Sequence, residues 1–144
     1  MQNIFLSVTL GVLGLMPLAA CETHRPPVNS ADPADIVWAI TGKEWVVENL
    51  MDQGVPDRAR ATLTFTEDGK VSGSTGCNQY SGPFEVEDWV LTFGPMITTR
   101  RACFGALMDM EQKFLSVFSA PVQIDLDTTG LLRLQSAAGS LEAR

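Results

Sequence analysis

The chain has 144 residues, with 10 Lys+Arg against 17 Asp+Glu and a net charge of −7. That length fits one domain. The acidic balance argues against sequence-independent nucleic-acid binding, and against docking on anionic lipid by overall charge, since both need clustered Lys and Arg.

Residues 4–20 are an apolar run interrupted by Ser7, Thr9, Gly11, Gly14 and Pro17. The run is short for a spanning helix, which needs about 20 apolar residues. Small residues before a cleavage point mark a secretory signal. Leu18-Ala19-Ala20-Cys21 resembles the lipobox of bacterial lipoproteins, in which the cysteine becomes the lipidated first residue of the mature chain. The n-region, Met1-Gln2-Asn3, departs from an export signal in lacking Lys or Arg. An uncleaved anchor helix is the alternative reading. The expected organisation is a lipoprotein signal peptide over 1–20, lipidation at Cys21, a flexible tether over 21–35 and a folded domain over 36–144. The lipid would attach the protein to a membrane of the bacterial envelope, facing the periplasm. Glu22 favours the outer membrane over the inner, because it is not the Asp that retains enteric lipoproteins.

The tether assignment rests on Pro26, Pro27, Asn29, Ser30 and Pro33. His24, the one histidine of the chain, falls within it. Ser-His-Asp and Cys-His catalysis and multi-histidine metal sites are thereby removed. No cofactor is expected.

Residues 36–40 suggest a short helix or strand. Lys43 to Leu50 reads as a strand with Trp45 and Val47 on one face. Met51 to Arg60 reads as a loop. Ala61-Thr62-Leu63-Thr64-Phe65-Thr66 alternates, with its threonines expected outward. Glu67-Asp68-Gly69-Lys70 is a hairpin turn, and Val71, Gly73, Thr75 and Cys77 share a face of the returning strand. Gly76, Gly82 and Pro83 are expected to bend the chain. Phe84–Glu87 and Val90–Phe93 form a hairpin across Asp88-Trp89, and residues 97–103 a short extended segment. Leu107, Met110, Phe114, Val117 and Phe118 lie on one helical face, which predicts a helix over about 106–119 packed on the sheet. Residues 122–126 and 131–135 form a closing hairpin. Residues 136–144 are small and polar, so a frayed end is expected.

With Cys21 assigned to lipid, Cys77 and Cys103 remain. Outside the cytoplasm, two thiols in one small domain are most simply a disulfide. Free thiols, or redox or metal work, are the alternatives. Asn78, Gln79 and Tyr80 are candidates for a polar recognition surface, against Asn78 bonding local backbone at the bend and Tyr80 packing inside. Arg100 and Arg101 are candidates for holding an anion or carboxylate, against a solvated face. The paired carboxylates lie mostly at turns, and nothing in the sequence places two of them across a cleft as a glycosidase would need. Gly73-x-x-Gly76 leads into strand-like sequence, not into the helix a phosphate-binding loop requires.

Gly42-Lys-x-Trp45, Thr62-Leu-x-Phe65, Gly76-Cys-Asn-Gln-Tyr-Ser-Gly82, Leu91-x-Phe-Gly94, Thr98-x-x-x-x-Cys103 and Glu111-x-x-Phe-Leu115 together resemble the META/HslJ domain over about 40–135. The resemblance implies a mainly β (α+β) fold, a curved antiparallel sheet or incomplete small β-barrel with one packed helix. It implies that the two cysteines pair and that the chain is an envelope lipoprotein. It implies no catalytic role, and links the chain to heat shock and novobiocin tolerance by analogy only. Two functions are expected: a non-enzymatic binding or protective module with an envelope protein partner, or a lipocalin-like carrier of a small apolar ligand.

Overall fold

The computed structural model describes residues 32–56 and 58–144. The expected signal peptide, Cys21, His24 and most of the expected tether lie outside the described residues.

The first element is helix α1, Pro33–Ile40. Asp32 caps it, its Oδ1 accepting from Ala34 N at 3.0 Å. Proline at the start has no N–H to leave unsatisfied there. Pro33–Asp35, read as tether, therefore form its first turn. Ile36 and Ile40 are buried, one helical turn apart on the inner face.

Ten strands follow, with a second helix among them. They are β1 (Glu44–Leu50), β2 (Gln53–Gly54), β3 (Thr62–Thr66), β4 (Lys70–Ser74), β5 (Gln79–Glu87), β6 (Val90–Phe93) and β7 (Ile97–Thr98), then α2 (Gly105–Val117), then β8 (Val122–Leu126), β9 (Leu132–Ser136) and β10 (Gly139–Ala143). The sheet runs β10-β9-β8-β6-β5-β4-β3-β1, and β1 pairs with β10. All these pairings are antiparallel. The result is a closed eight-strand barrel with two helices. The expected fold is thus present, but the barrel is complete.

The closing strand lies where a frayed end was expected. Leu141 and Ala143 are buried and alternate with half-buried Glu142. They sit opposite Leu134 and Leu132 on β9, and beside Leu50 and Val47 on β1. Two apolar residues at a spacing of two suffice when both neighbours present apolar partners. Small, polar composition concealed that pattern.

Three further local readings are corrected. Gln53–Gly54 pair with β1 inside the expected loop. Thr62, between the core residues Ala61 and Leu63, is covered rather than exposed, and its hydroxyl accepts from Ser74 N at 3.2 Å. Gly82 and Pro83 do not break β5, which keeps regular register with β4 through both. Gly82 is instead a point of close approach. A Cβ there would lie 2.6 Å from Met96 Sδ and 2.9 Å from the Pro95 carbonyl. The β5–β6 turn does behave as expected, with Asp88 and Trp89 both at positive φ, as tight hairpins require.

Each barrel end carries a helix. α1 stands where β1 begins and β3 ends. Ile40 O accepts from Trp45 Nε1 at 2.8 Å, and Thr41 bridges to Phe65. α2 crosses the other end. It touches β1, β9 and β10, while Phe114 meets Tyr80 of β5 at 5.2 Å and Phe118 meets Phe93 of β6 at 4.3 Å between ring centroids. These strands face one another across the sheet order, so α2 spans the mouth and its aromatic face plugs it.

The β8–β9 turn gives a pH-dependent prediction. The Asp127 carboxylate accepts from Thr129 Oγ1 at 2.6 Å and from Leu131 N at 3.1 Å. Chiefly because of the Thr129 hydroxyl and then the Leu131 amide, its pKa falls from 3.8 to about 2. The ionised form is thus favoured by folding. The stability advantage of the natural chain over Asp127→Ala should be full above the ordinary carboxylate pKa. It should decline as pH falls toward about 2 and be absent below it. Urea titrations at stepped pH would read this, and an advantage that grows on acidification would contradict it.

Candidate functional site

Residues 73–80 and 98–105 meet at the α2 end of the barrel. After β4 the chain turns through Thr75, Gly76 and Cys77. Gly76 has φ +88°, and a Cβ there would meet Met110 Cε at 2.3 Å. Glycine suits this backbone conformation, and the Met110 side chain of α2 fills the space its missing Cβ leaves. Cys77 and Cys103 form a disulfide, with Cα atoms 6.0 Å apart. It ties this bend to the segment entering α2.

Asn78 is the centre of the arrangement, with 2% of its surface exposed. Its Oδ1 accepts from Arg101 N at 2.7 Å and from Thr99 Oγ1 at 2.8 Å. Its Nδ2 donates to Glu111 Oε2 at 2.9 Å. Thr75 Oγ1 donates to the same carboxylate oxygen at 2.7 Å. Asn78 N in turn donates to Thr75 Oγ1 at 3.0 Å. One buried amide thus joins three pieces of chain: the bend, the segment after β7 and the helix. The expectation that Asn78 would satisfy only local backbone is corrected. An Asn offers both an acceptor and two donors, which suits it to a junction where an N–H and a carboxylate converge.

Tyr80 is also buried, at 3% exposure. Its hydroxyl donates to Thr62 O at 3.0 Å, and burial pushes its pKa upward. It is a packed tyrosine with a satisfied hydroxyl, not a surface group. Gln79, Arg100 and Arg101 are exposed. The candidate recognition set therefore separates: Asn78 and Tyr80 hold the scaffold, while Gln79, Arg100 and Arg101 remain outside.

Thr99 and Glu111 were not singled out from sequence as partners of Asn78. Glu111 stands in the Glu111-x-x-Phe114 motif, beside the packed Phe114. Nothing local shows that its carboxylate reaches back 33 residues. Among the described residues, no group of three or more His, Cys, Asp or Glu converges as a metal site would require. The arrangement is chemically a set of crosslinks: one covalent bond and a buried polar junction fix residues 99–103 against the barrel mouth.

The disulfide closes a loop with a sequence separation of 26. In the chain-entropy model such a loop stabilises the folded state by about 3.5 kcal/mol. Cys77→Ser/Cys103→Ser should therefore lower the unfolding free energy by about that amount in urea titrations. A loss below about 1 kcal/mol would show that the hydrogen-bonded junction alone holds the bend.

The family model of the META domain matches residues 38–143. The chain belongs to the META domain family. Two solved structures are similar to it. One, an NMR structure, has a TM-score of 0.65 at 23% identity and covers 79% of this chain and 94% of its own. Another NMR structure, of a protein from Burkholderia xenovorans, has a TM-score of 0.60 at 24% identity and covers 83% of this chain and 94% of its own. Both likenesses concern the fold. No match is found among curated proteins. Within this META domain, the Gly-Cys-Asn-x-Tyr stretch is the part of the barrel that receives the helix.

Proposed function

We propose that this META domain is a lipid-anchored, non-enzymatic module of the bacterial envelope, held at a membrane through Cys21, whose working surface is the α2 end of the barrel. The observation that carries the proposal is the division of roles at that end. The polar groups of the central motif are spent internally, on Glu111, Thr99, Arg101 N and Thr62 O. What they hold in place is an exposed segment bearing Arg100 and Arg101. Residues held rigidly yet left exposed suit binding, because little ordering entropy remains to be lost. By analogy with the family, the role belongs to stress or novobiocin-type antibiotic tolerance.

The carrier reading has less in its favour. The buried side chains, from Ile36 to Ala143, form one cluster. The helix face occupies the mouth through which an apolar ligand would enter.

The test is genetic and chemical together. A strain lacking the chain should lose novobiocin tolerance, and a Cys21→Ser copy should not restore it. The mass of the mature protein should show acylated Cys21 as its first residue. Unchanged tolerance in the deletion strain would overturn the protective role, and an unacylated mature chain would overturn the anchor.

A further inference from the structure

The net charge of −7 conceals a local arrangement of opposite sign. Arg60, Lys70, Lys113, Arg133 and Arg144 each pair with a carboxylate, and Lys43 lies 3.5 Å over the Trp45 ring. Arg58, Arg100 and Arg101 are exposed and hold no carboxylate among the described residues. All three sit at the α2 end. Arg58 adjoins Ala59, whose Cβ lies 3.4 Å from where a Cβ on Gly76 would stand. Arg100 and Arg101 precede Cys103 in the segment that Asn78 fixes.

Large apolar side chains are exposed at the same end: Phe104 is 88% exposed and Met108 44%, while Ile97, 75% exposed, lies further along β5 opposite Ser81. Phe104 and Met108 are one turn apart, with Met108 N donating to Phe104 O, so they share a face. Trp38, the other large exposed apolar residue among those described, belongs to α1 at the opposite end.

We propose that this end is a membrane-contacting face for anionic phospholipid, with Phe104 and Met108 entering the acyl boundary and Arg58, Arg100 and Arg101 holding phosphate groups. Guanidinium groups bind phosphate oxygens in bidentate geometry. Apolar side chains flanked by basic ones are the composition of surfaces that lie in the bilayer interface. The hollow of about 440 Å³ beside Met108 is bounded by Asp109 and Glu111, which repel phosphate and so set the edge of the contact. The disulfide and the Asn78 junction hold the segment in place before any lipid is met. The proposal deepens the envelope reading and rests on it.

Hydrogen exchange tests it on the full chain. The protein is mixed with vesicles of phosphatidylglycerol and phosphatidylethanolamine, and separately with phosphatidylcholine alone. Exchange in residues 97–108 should slow on the anionic vesicles, with residues 122–136 unchanged as the internal control. High salt should remove the effect. Neutralising each arginine (Arg100→Gln, Arg101→Gln) should lower vesicle partition about fivefold, and Phe104→Ser should remove the protection while the control peptides stay native. Equal exchange on the two vesicle types overturns the proposal, as does protection produced only by a lipid-free envelope protein. The mass of Cys21, measured on the same sample, decides the anchor separately.

Discussion

Removing residues 139–144 is expected to abolish the cooperative thermal transition of the domain. β10 closes the barrel, pairing with β9 from Gly139 to Ala143 and with β1 through Val47, Asn49 and Leu50. Arg144 extends the seam, since its N–H donates to Val46 O at 2.9 Å and its carbonyl accepts from Val46 N at 2.6 Å. Truncation strips both neighbouring strands of these partners. Each buried backbone group left unpaired costs about 1–3 kcal/mol, and losing the buried Leu141 side chain costs about 2–3 kcal/mol more. A total stability of about 5–15 kcal/mol does not survive several such losses. Circular dichroism melting of the truncated chain would check this. A transition within a few degrees of the full chain would show that β10 is dispensable.

Phe114→Ala is expected to destabilise the domain by about 3–5 kcal/mol. The side chain is fully buried, and its ring lies 5.2 Å from Tyr80 and 5.1 Å from Phe118. The substitution leaves a cavity at the barrel mouth that the strands cannot collapse to fill. Phe114→Leu keeps most of the volume and should cost under about 1.5 kcal/mol. Urea titration of both variants separates a plugging helix from a peripheral one, for which even the alanine would cost little.

Much of this architecture is legible in the residues because it rests on local periodicity. Trp45 and Val47, Leu63 and Phe65, and the Met110–Phe114–Val117 stripe announce their inner faces, and all are buried. Asp88-Trp89 and Glu67–Lys70 mark turns that form. What escaped was decided by distant partners. Leu141 and Ala143 become a strand only because β1 and β9 offer edges to them. Thr62 is buried where the end of β4 comes against it and Ser74 N donates to its hydroxyl. At the candidate site, the covalent pair is readable from the cysteine count and the expected export of the chain. The role of Asn78 is not, because its partners Thr99, Arg101 and Glu111 are supplied by other elements. A Gly-Cys-Asn-x-Tyr stretch looks like a polar surface until the elements that bury it are in place.

The seam between β1 and β10 also orders events in time. Its two strands stand at nearly opposite ends of the described domain, so this contact has the largest sequence separation in the barrel and the largest loop-closure cost. The disulfide loop encloses β5, β6 and β7 and so leaves this seam to be closed by packing and backbone pairing alone. Until the final residues arrive, β1 and then β9 present unpaired edges, the template for pairing with another chain. Pairing of β10 with both β1 and β9 therefore also removes the edges through which an open barrel would join another chain.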